Sequence, residues 1–110
     1  MDDLLKNAKE FLESGEENIK KRRYNASVSD FFKAITILCD YLIYKEIKIL
    51  PKNHNDRFFL LKKYFVSIHD NVSELFKIYI DSYNLRLKLE DALKIEFYAY
   101  GLKKYTETKK

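Results

Sequence analysis

The sequence predicts an all-α fold, an antiparallel up-and-down bundle of four long helices plus one short helix. The 110 residues include only two glycines and one proline, whereas all-β folds need many more turn residues. Apolar residues also recur at helical spacing along most of the chain. The length fits a single domain over residues 1–110. A 46% apolar content argues against disorder of the whole chain.

The first helix is expected over roughly residues 3–22. Its apolar positions recur every three or four residues. Acids crowd its first turns and basic residues its last, which suits the helix dipole. Gly15 interrupts it.

The segment "NASVSDFFKAITILCDYLIYKEI" predicts the central helix, because it is apolar around most of its circumference. Such a helix is buried by several neighbours or by a partner subunit. Cys39 lies among these apolar positions, which indicates a buried structural thiol rather than a reactive one.

A loop and a short helix follow. Pro51 disfavours helix at Leu50, and Asn53 or Asn55 can cap the helix "DRFFLLKKYF", with Asp56 in its first turn. The segment therefore needs no functional explanation: it stops one helix and caps the next.

Two further helices complete the prediction. The fourth covers "SIHDNVSELFKIYIDSY", and its candidate caps are Ser67, Asp70 and Asn71. "NLRLKLED" is expected to break the chain before the last helix, whose opening turn holds Glu90 and Asp91. That helix carries two apolar stripes, and the tail "TETKK" is expected to be frayed. The stripes are Leu89, Leu93, Phe97 and Tyr100 on one side, and Ala92, Ile95, Ala99 and Leu102 on the other.

Composition excludes several kinds of chemistry. Cys39 is the only cysteine, which rules out an internal disulfide and a multi-cysteine zinc site. Two glycines cannot form a phosphate-binding loop, and no HExxH or GxSxG pattern occurs. We expect neither a metal nor a cofactor. The acidic amphipathic N-terminus and the lack of a long apolar run predict a cytoplasmic protein that does not enter a membrane.

Positive charge is concentrated in the middle of the chain. Residues 20–63 hold eleven Lys or Arg against four acids, and such a region can attract nucleic acid or acidic protein. The alternative is an ordinary solvated surface. The many tyrosines can likewise be core periphery, a dimer interface or a stacking platform for bases. The candidate binding residues are Lys20, Lys21, Arg22, Arg23, His54, Arg57, Lys62 and Lys63.

The run "RRYNASVSDFFKAITILCDYLI", followed by "PKNHNDRFFLLKKYF", resembles the HEPN family of small helical domains, nucleotidyltransferase-associated type. Tyr24, Ala26, Ala34 and His54 occupy the positions that carry the resemblance, which covers roughly residues 3–65. It implies a bundle of four or five helices that forms a homodimer. It also implies a link to RNA or nucleotides, and a nucleotidyltransferase partner in a toxin–antitoxin pair.

Some HEPN proteins are metal-independent ribonucleases that use an arginine followed four to six residues later by a histidine. That motif is absent here, since no arginine precedes His54 or His69 at this spacing. A lysine does precede a histidine at this spacing, as Lys63 precedes His69. Lysine carries the same charge as arginine but lacks the planar guanidinium that binds a phosphate with two hydrogen bonds.

We therefore expect a non-catalytic HEPN-like module that binds a protein partner, RNA or a nucleotide through its basic centre. One alternative is a weak ribonuclease that uses His69 or His54 with a nearby lysine such as Lys63. The other is a homo-oligomeric scaffold without a ligand, which would associate through the apolar belt of the central helix.

Overall fold

The computed structural model describes residues 2–109. Over this range the chain forms five α-helices and no strand, which confirms the all-α prediction. The molecule measures 38 × 24 × 21 Å. The second helix, 24 residues long, spans most of the longest dimension, because an α-helix rises about 1.5 Å per residue. The helices are α1 (Asp2–Lys20), α2 (Tyr24–Ile47), α3 (His54–Tyr64), α4 (Val66–Asp81) and α5 (Leu89–Glu107).

The central position of α2 is confirmed. The other four helices all pack against it. Phe31, Phe32, Ile35 and Leu38 are at most 1% exposed, and Cys39 is fully buried. The chain's own helices therefore cover the apolar belt of α2. The prediction that this belt could serve as a self-association surface is wrong.

α1 and α2 approach closely at Gly15. A Cβ atom there would lie 2.7 Å from the Phe31 ring, so only glycine fits without a shift of the ring. The Ser27 hydroxyl donates to the Gly15 carbonyl at 2.9 Å. Asn18 on α1 donates to the Asp30 carboxylate on α2 at 2.8 Å. These contacts fix the two helices side by side.

The loop before α3 forms as its residues predict. α2 ends ahead of Pro51, and Lys48 takes the left-handed conformation that terminates a helix. Asn53 caps α3, since its side-chain oxygen accepts from the Asp56 amide at 2.8 Å. Of the two candidate caps, Asn53 is therefore the one used.

The start of α4 differs from the prediction. A single residue, Phe65, separates α3 from α4 and serves both as a cap. The half-buried ring of Phe65 packs against the core, and no side-chain hydrogen bond caps α4. The predicted caps Ser67, Asp70 and Asn71 are therefore wrong, because all three lie inside α4.

α5 buries only one of its two predicted stripes. Ala92, Ile95, Ala99 and Leu102 face the core, whereas Phe97 is 82% exposed. The helix continues to Glu107 and buries Thr106, so it extends into the tail that was expected to fray. Lys110 lies outside the described residues.

None of the helices in residues 2–109 is both long enough and apolar enough to cross a membrane.

Candidate functional site

The turn between α1 and α2 exposes four consecutive basic residues, Lys20, Lys21, Arg22 and Arg23. Arg22 has φ 59°, and the Arg23 amide bonds back to the Asn18 carbonyl at 2.8 Å. Lys21 makes an exposed 3.7 Å ion pair with Glu17, which is weak in water.

Asn25 brings a distant loop to this turn. Its side-chain amide donates to the carbonyls of Ser82 at 2.8 Å and Leu85 at 2.6 Å. Its side-chain oxygen accepts from the Leu87 amide at 3.0 Å. One side chain thereby ties the loop between α4 and α5 to the first turn of α2.

The two segments together form a surface that we call the basic end. Arg86 and Lys88 join the four cations of the turn, and all six residues are exposed. In residues 2–109, the side chains of Lys20, Arg22, Arg23 and Arg86 have no acidic group within ion-pairing distance. No local pattern could have linked Arg86 to Arg23, because only the fold brings them together. The residues of the basic end are Lys20, Lys21, Arg22, Arg23, Arg86 and Lys88.

An aromatic row leads from the basic end toward α3. Tyr83 is 72% exposed, and its hydroxyl shares a 2.9 Å hydrogen bond with that of Tyr79. The Tyr79 ring stacks on Phe32, with centroids 4.6 Å apart. The hydrogen bond to Tyr83, followed by burial, raises the pKa of Tyr79 to about 12. Tyr79 therefore stays neutral and holds Tyr83 in place.

At the far end of this row lies a cluster of Asp40, His54 and Arg57. Arg57 binds Asp40 with two hydrogen bonds, Nε to Oδ1 at 2.7 Å and Nη2 to Oδ2 at 3.0 Å. The two side chains are only 12% and 16% exposed. Arg57 Nη1 also donates to His54 Nδ1 at 2.9 Å. The charge of Arg57 is thus matched by Asp40, and its guanidinium fastens α3 to α2.

The contact with Arg57 defines the proton position on His54. A guanidinium can only donate, so Nδ1 of His54 must accept, and the proton of the neutral ring lies on Nε2. Partial burial, followed by the charge of Arg57, lowers the pKa of His54 below its ordinary value, although Asp40 opposes this shift. His54 is therefore a neutral hydrogen-bond donor.

The remaining candidates lie elsewhere. Lys62 and Lys63 are exposed near the end of α3, and the Lys63 ammonium sits 5.4 Å from the Tyr64 ring centre. Phe65, just beyond them, shares a cavity with Leu42. Leu42 lies about 27 Å along α2 from the basic end, at about 1.5 Å per residue. The candidate residues of the predicted basic centre therefore lie in three places: the turn between α1 and α2, the Asp40–His54–Arg57 cluster and the end of α3.

His69 is partnered by its neighbour. Its Nδ1 lies 2.9 Å from the Asp70 carboxylate, and its ring meets the edge of Phe58. Lys63 instead approaches Tyr64. No hydrogen bond or ion pair within the described chain joins Lys63 to His69. The two weak catalytic candidates therefore have different partners, Tyr64 for Lys63 and Asp70 for His69.

No group of three potential metal ligands occurs among residues 2–109. Comparison of the chain with protein-family models, curated proteins and solved structures gave no match in any of the three.

Proposed function

We propose that this protein is a non-catalytic, HEPN-like up-and-down helical module that binds single-stranded RNA at the basic end. The observation that carries the proposal is the Asn25-tied junction, which brings the turn with four exposed cations to the loop that carries Tyr83, Arg86 and Lys88. Single-stranded nucleic acids bind where positive charge follows the backbone and aromatic rings stack on the bases. Both elements lie at this end of the molecule.

The phosphate contacts come from the unpaired cations. Arg22, Arg23 and Arg86 offer planar forks that suit phosphate oxygens. Arg57 does not contribute a phosphate contact, because its guanidinium is already bound to Asp40 by two hydrogen bonds. Lys62 and Lys63 lie apart from the basic end and contribute only to the general positive field.

His54 fits a binding role better than a catalytic one. A general base needs a free lone pair, but Nδ1 of His54 accepts from Arg57 and Nε2 carries the proton. Its Nε2–H can still donate to an acceptor on a ligand. This favours the binding module over the ribonuclease alternative.

The test is a titration of labelled single-stranded RNA at low and moderate salt that follows binding and cleavage together. We expect binding that weakens with salt while the RNA stays intact. For single strands, each phosphate contact contributes about 0.7 to the slope of log affinity against log salt. The double variant Arg22→Ala, Arg23→Ala should therefore lower affinity and flatten the slope by up to about 1.4.

A matched control separates the basic end from net charge. Lys62→Ala with Lys63→Ala removes the same two charges from the distant group, and we expect a clearly smaller loss of affinity. Tyr83→Leu should weaken binding at every salt concentration, whereas Tyr83→Phe, which keeps the ring, should not. Equal losses in the two charge variants would contradict the proposed location.

Two other results would redirect the proposal. RNA cleavage that disappears in His69→Ala or His54→Ala would favour the ribonuclease. No binding at either salt would favour a protein partner with an acidic surface. The resemblance to the HEPN family makes a nucleotidyltransferase, as in a toxin–antitoxin pair, the first such partner to test.

A further inference from the structure

An apolar cavity lies between α4 and α5, because each of these helices packs against α2 rather than closely against the other. The chain from Tyr64 to Ile68 and the later half of α5 enclose about 470 Å³. Five of the ten lining residues are aromatic, and none is charged. A cavity of this size with an apolar and aromatic lining is typical of a site for a small molecule.

Two smaller cavities continue this one in different directions. One of about 200 Å³ shares Phe97 and Tyr98 with it and lies between α4 and α5. The other, of about 240 Å³, shares Phe65 and reaches α2. Lys94, which lines the first, lies roughly 16 Å along α5 from Tyr105 at about 1.5 Å per residue. We call the three cavities together the α4–α5 groove, and its length suits a chain better than a compact ring system.

Positive charge is concentrated where the groove reaches α2. Lys45 and Lys109 line the cavity there together with one acid, Glu46. The Lys109 ammonium lies 5.1 Å from the centre of the Tyr105 ring, which forms part of the main cavity wall. Neither lysine has an acidic group within ion-pairing distance among residues 2–109. Two lysines against one glutamate leave a net charge of +1, which a single carboxylate would neutralise.

Gly101 and Phe97 shape the middle of the groove. A Cβ atom at Gly101 would meet nothing within 4 Å, and its φ is not positive, so the backbone does not require glycine. Glycine inside a helix is destabilising relative to alanine, and an isolated one points to a packing or functional reason. Phe97, one turn earlier, is 82% exposed. A ligand in the groove would use the space at Gly101 and cover part of the Phe97 ring.

We propose that the α4–α5 groove binds the free anion of a fatty acid. The alkyl chain lies along the groove and passes Gly101, and the carboxylate lies beside Lys45 and Lys109. At the opposite end Glu74 and Lys94 balance each other, so charge favours this one direction. Burial of the alkyl chain supplies most of the binding free energy, and the lysines select the anion. The inference is independent of the proposed RNA binding, which uses the other end of α2.

Isothermal titration calorimetry with octanoate, decanoate and dodecanoate, each below its micellar concentration, tests the proposal. We expect one site per chain and an affinity that rises about fourfold for each methylene group that enters the groove. Dodecyltrimethylammonium has the same chain length and the opposite charge, and should bind about tenfold more weakly than dodecanoate. An affinity that does not depend on chain length, or equal affinities for the anion and the cation, would overturn the proposal.

Variants test the location of the site. Gly101→Leu should weaken dodecanoate binding at least about tenfold, because its side chain displaces two or more methylene groups, whereas Gly101→Ala should change it less. Lys109→Gln should weaken binding about threefold, as expected for an exposed ion pair. The matched control is Lys33→Gln, since the Lys33 ammonium also lies over a ring, 5.7 Å from the centre of Phe11 on α1.

The control variant should bind dodecanoate as the wild type does, and circular dichroism should show an unchanged helical fold in all variants. Equal losses in Lys109→Gln and Lys33→Gln would contradict the position of the carboxylate. A wild-type chain that does not bind dodecanoate saturably would overturn the proposal, and so would binding unaffected by Gly101→Leu.

Discussion

Gly15 and Gly101 show that this molecule has one closed side and one open side. A Cβ atom at Gly15 would meet the Phe31 ring at 2.7 Å, whereas one at Gly101 would meet nothing within 4 Å. The same contrast holds for the two phenylalanines beside them, since Phe31 is fully buried and Phe97 is 82% exposed. Helical spacing of apolar residues therefore does not by itself identify a core. The chain uses the same pattern for its interior and for an exposed stripe of α5 that holds Leu93 and Phe97.

The two phenylalanines give the largest expected difference. Phe31→Ala should lower the free energy of unfolding by about 3–5 kcal/mol, because it leaves a cavity in a packed core. Phe97→Ala should change it by less than about 0.5 kcal/mol in the monomer, as at other exposed positions. Urea denaturation at high dilution measures both. Similar losses in the two variants would mean that the Phe97 side chain is buried in solution.

Two aspartate side chains, Asp40 beside Arg57 and Asp70 beside His69, extend the comparison to polar contacts. Asp40→Ala leaves Arg57 largely buried without its partner, and we expect a loss of about 2–3 kcal/mol, since the pair is not fully buried. Asp70→Ala breaks a pair whose carboxylate is 72% exposed, and should cost at most about 0.5 kcal/mol. Chemical denaturation of both variants checks this. A small loss of unfolding free energy in Asp40→Ala would show that water hydrates the Arg57 guanidinium in place of the carboxylate.

Alanine in place of each of the two glycines should change the free energy of unfolding in opposite directions. Gly15→Ala should destabilise the chain by about 1–2 kcal/mol, because crowding of the Phe31 ring outweighs the gain in helix propensity. Gly101→Ala should stabilise the monomer by about 0.5–1 kcal/mol, because it adds helix propensity in open space. Thermal or urea unfolding at low protein concentration distinguishes them. Equal signs would contradict the contrast between the two sides.

The smallest effect is a pH dependence that originates at His54. Its pKa is lowered in the folded chain from the ordinary value of 6.5, so the unfolded chain binds more protons as pH falls below that value. The contribution to stability is therefore complete above pH 6.5 and lost as pH falls through the folded-state pKa. Urea midpoints of wild type and His54→Gln, compared at about pH 5 and about pH 7.5, should show a smaller acid loss in the variant. Identical losses would assign the effect to other groups.

Local chemistry predicted the helices well. Asn53 as a cap, the helix end before Pro51 and the buried Cys39 all depend on neighbours within a turn or two. The predicted start of α4 was wrong because the helix begins at Val66, after the half-buried Phe65, and not at any of the three polar caps. A cap is worth about 1 kcal/mol, and half-burying a Phe side chain contributes about the same, so a polar cap signal alone does not fix where a helix begins.

The candidate site was less predictable, for a related reason. The four cations of the first turn are adjacent in sequence and easily found, but Arg86 and Lys88 reach them only through the bonds of Asn25. Arg57 was counted among the free charges because nothing in the sequence shows that Asp40, 17 positions earlier, lies opposite it. Pairwise contacts across the fold decide which charges remain available.

The hydrogen bonds of Asn25 also bear on the order in which the molecule is completed. They join positions 57 to 62 residues apart, and closing so long a segment is entropically slow and late in assembly. A partly folded chain in which α1 and α2 have paired, but the loop after α4 has not docked, would lack Arg86 and Lys88 beside Arg23. A ligand that requires both segments would bind the finished molecule and stabilise it by mass action. Binding of such a ligand at the basic end would then occur only on chains in which the loop between α4 and α5 has docked.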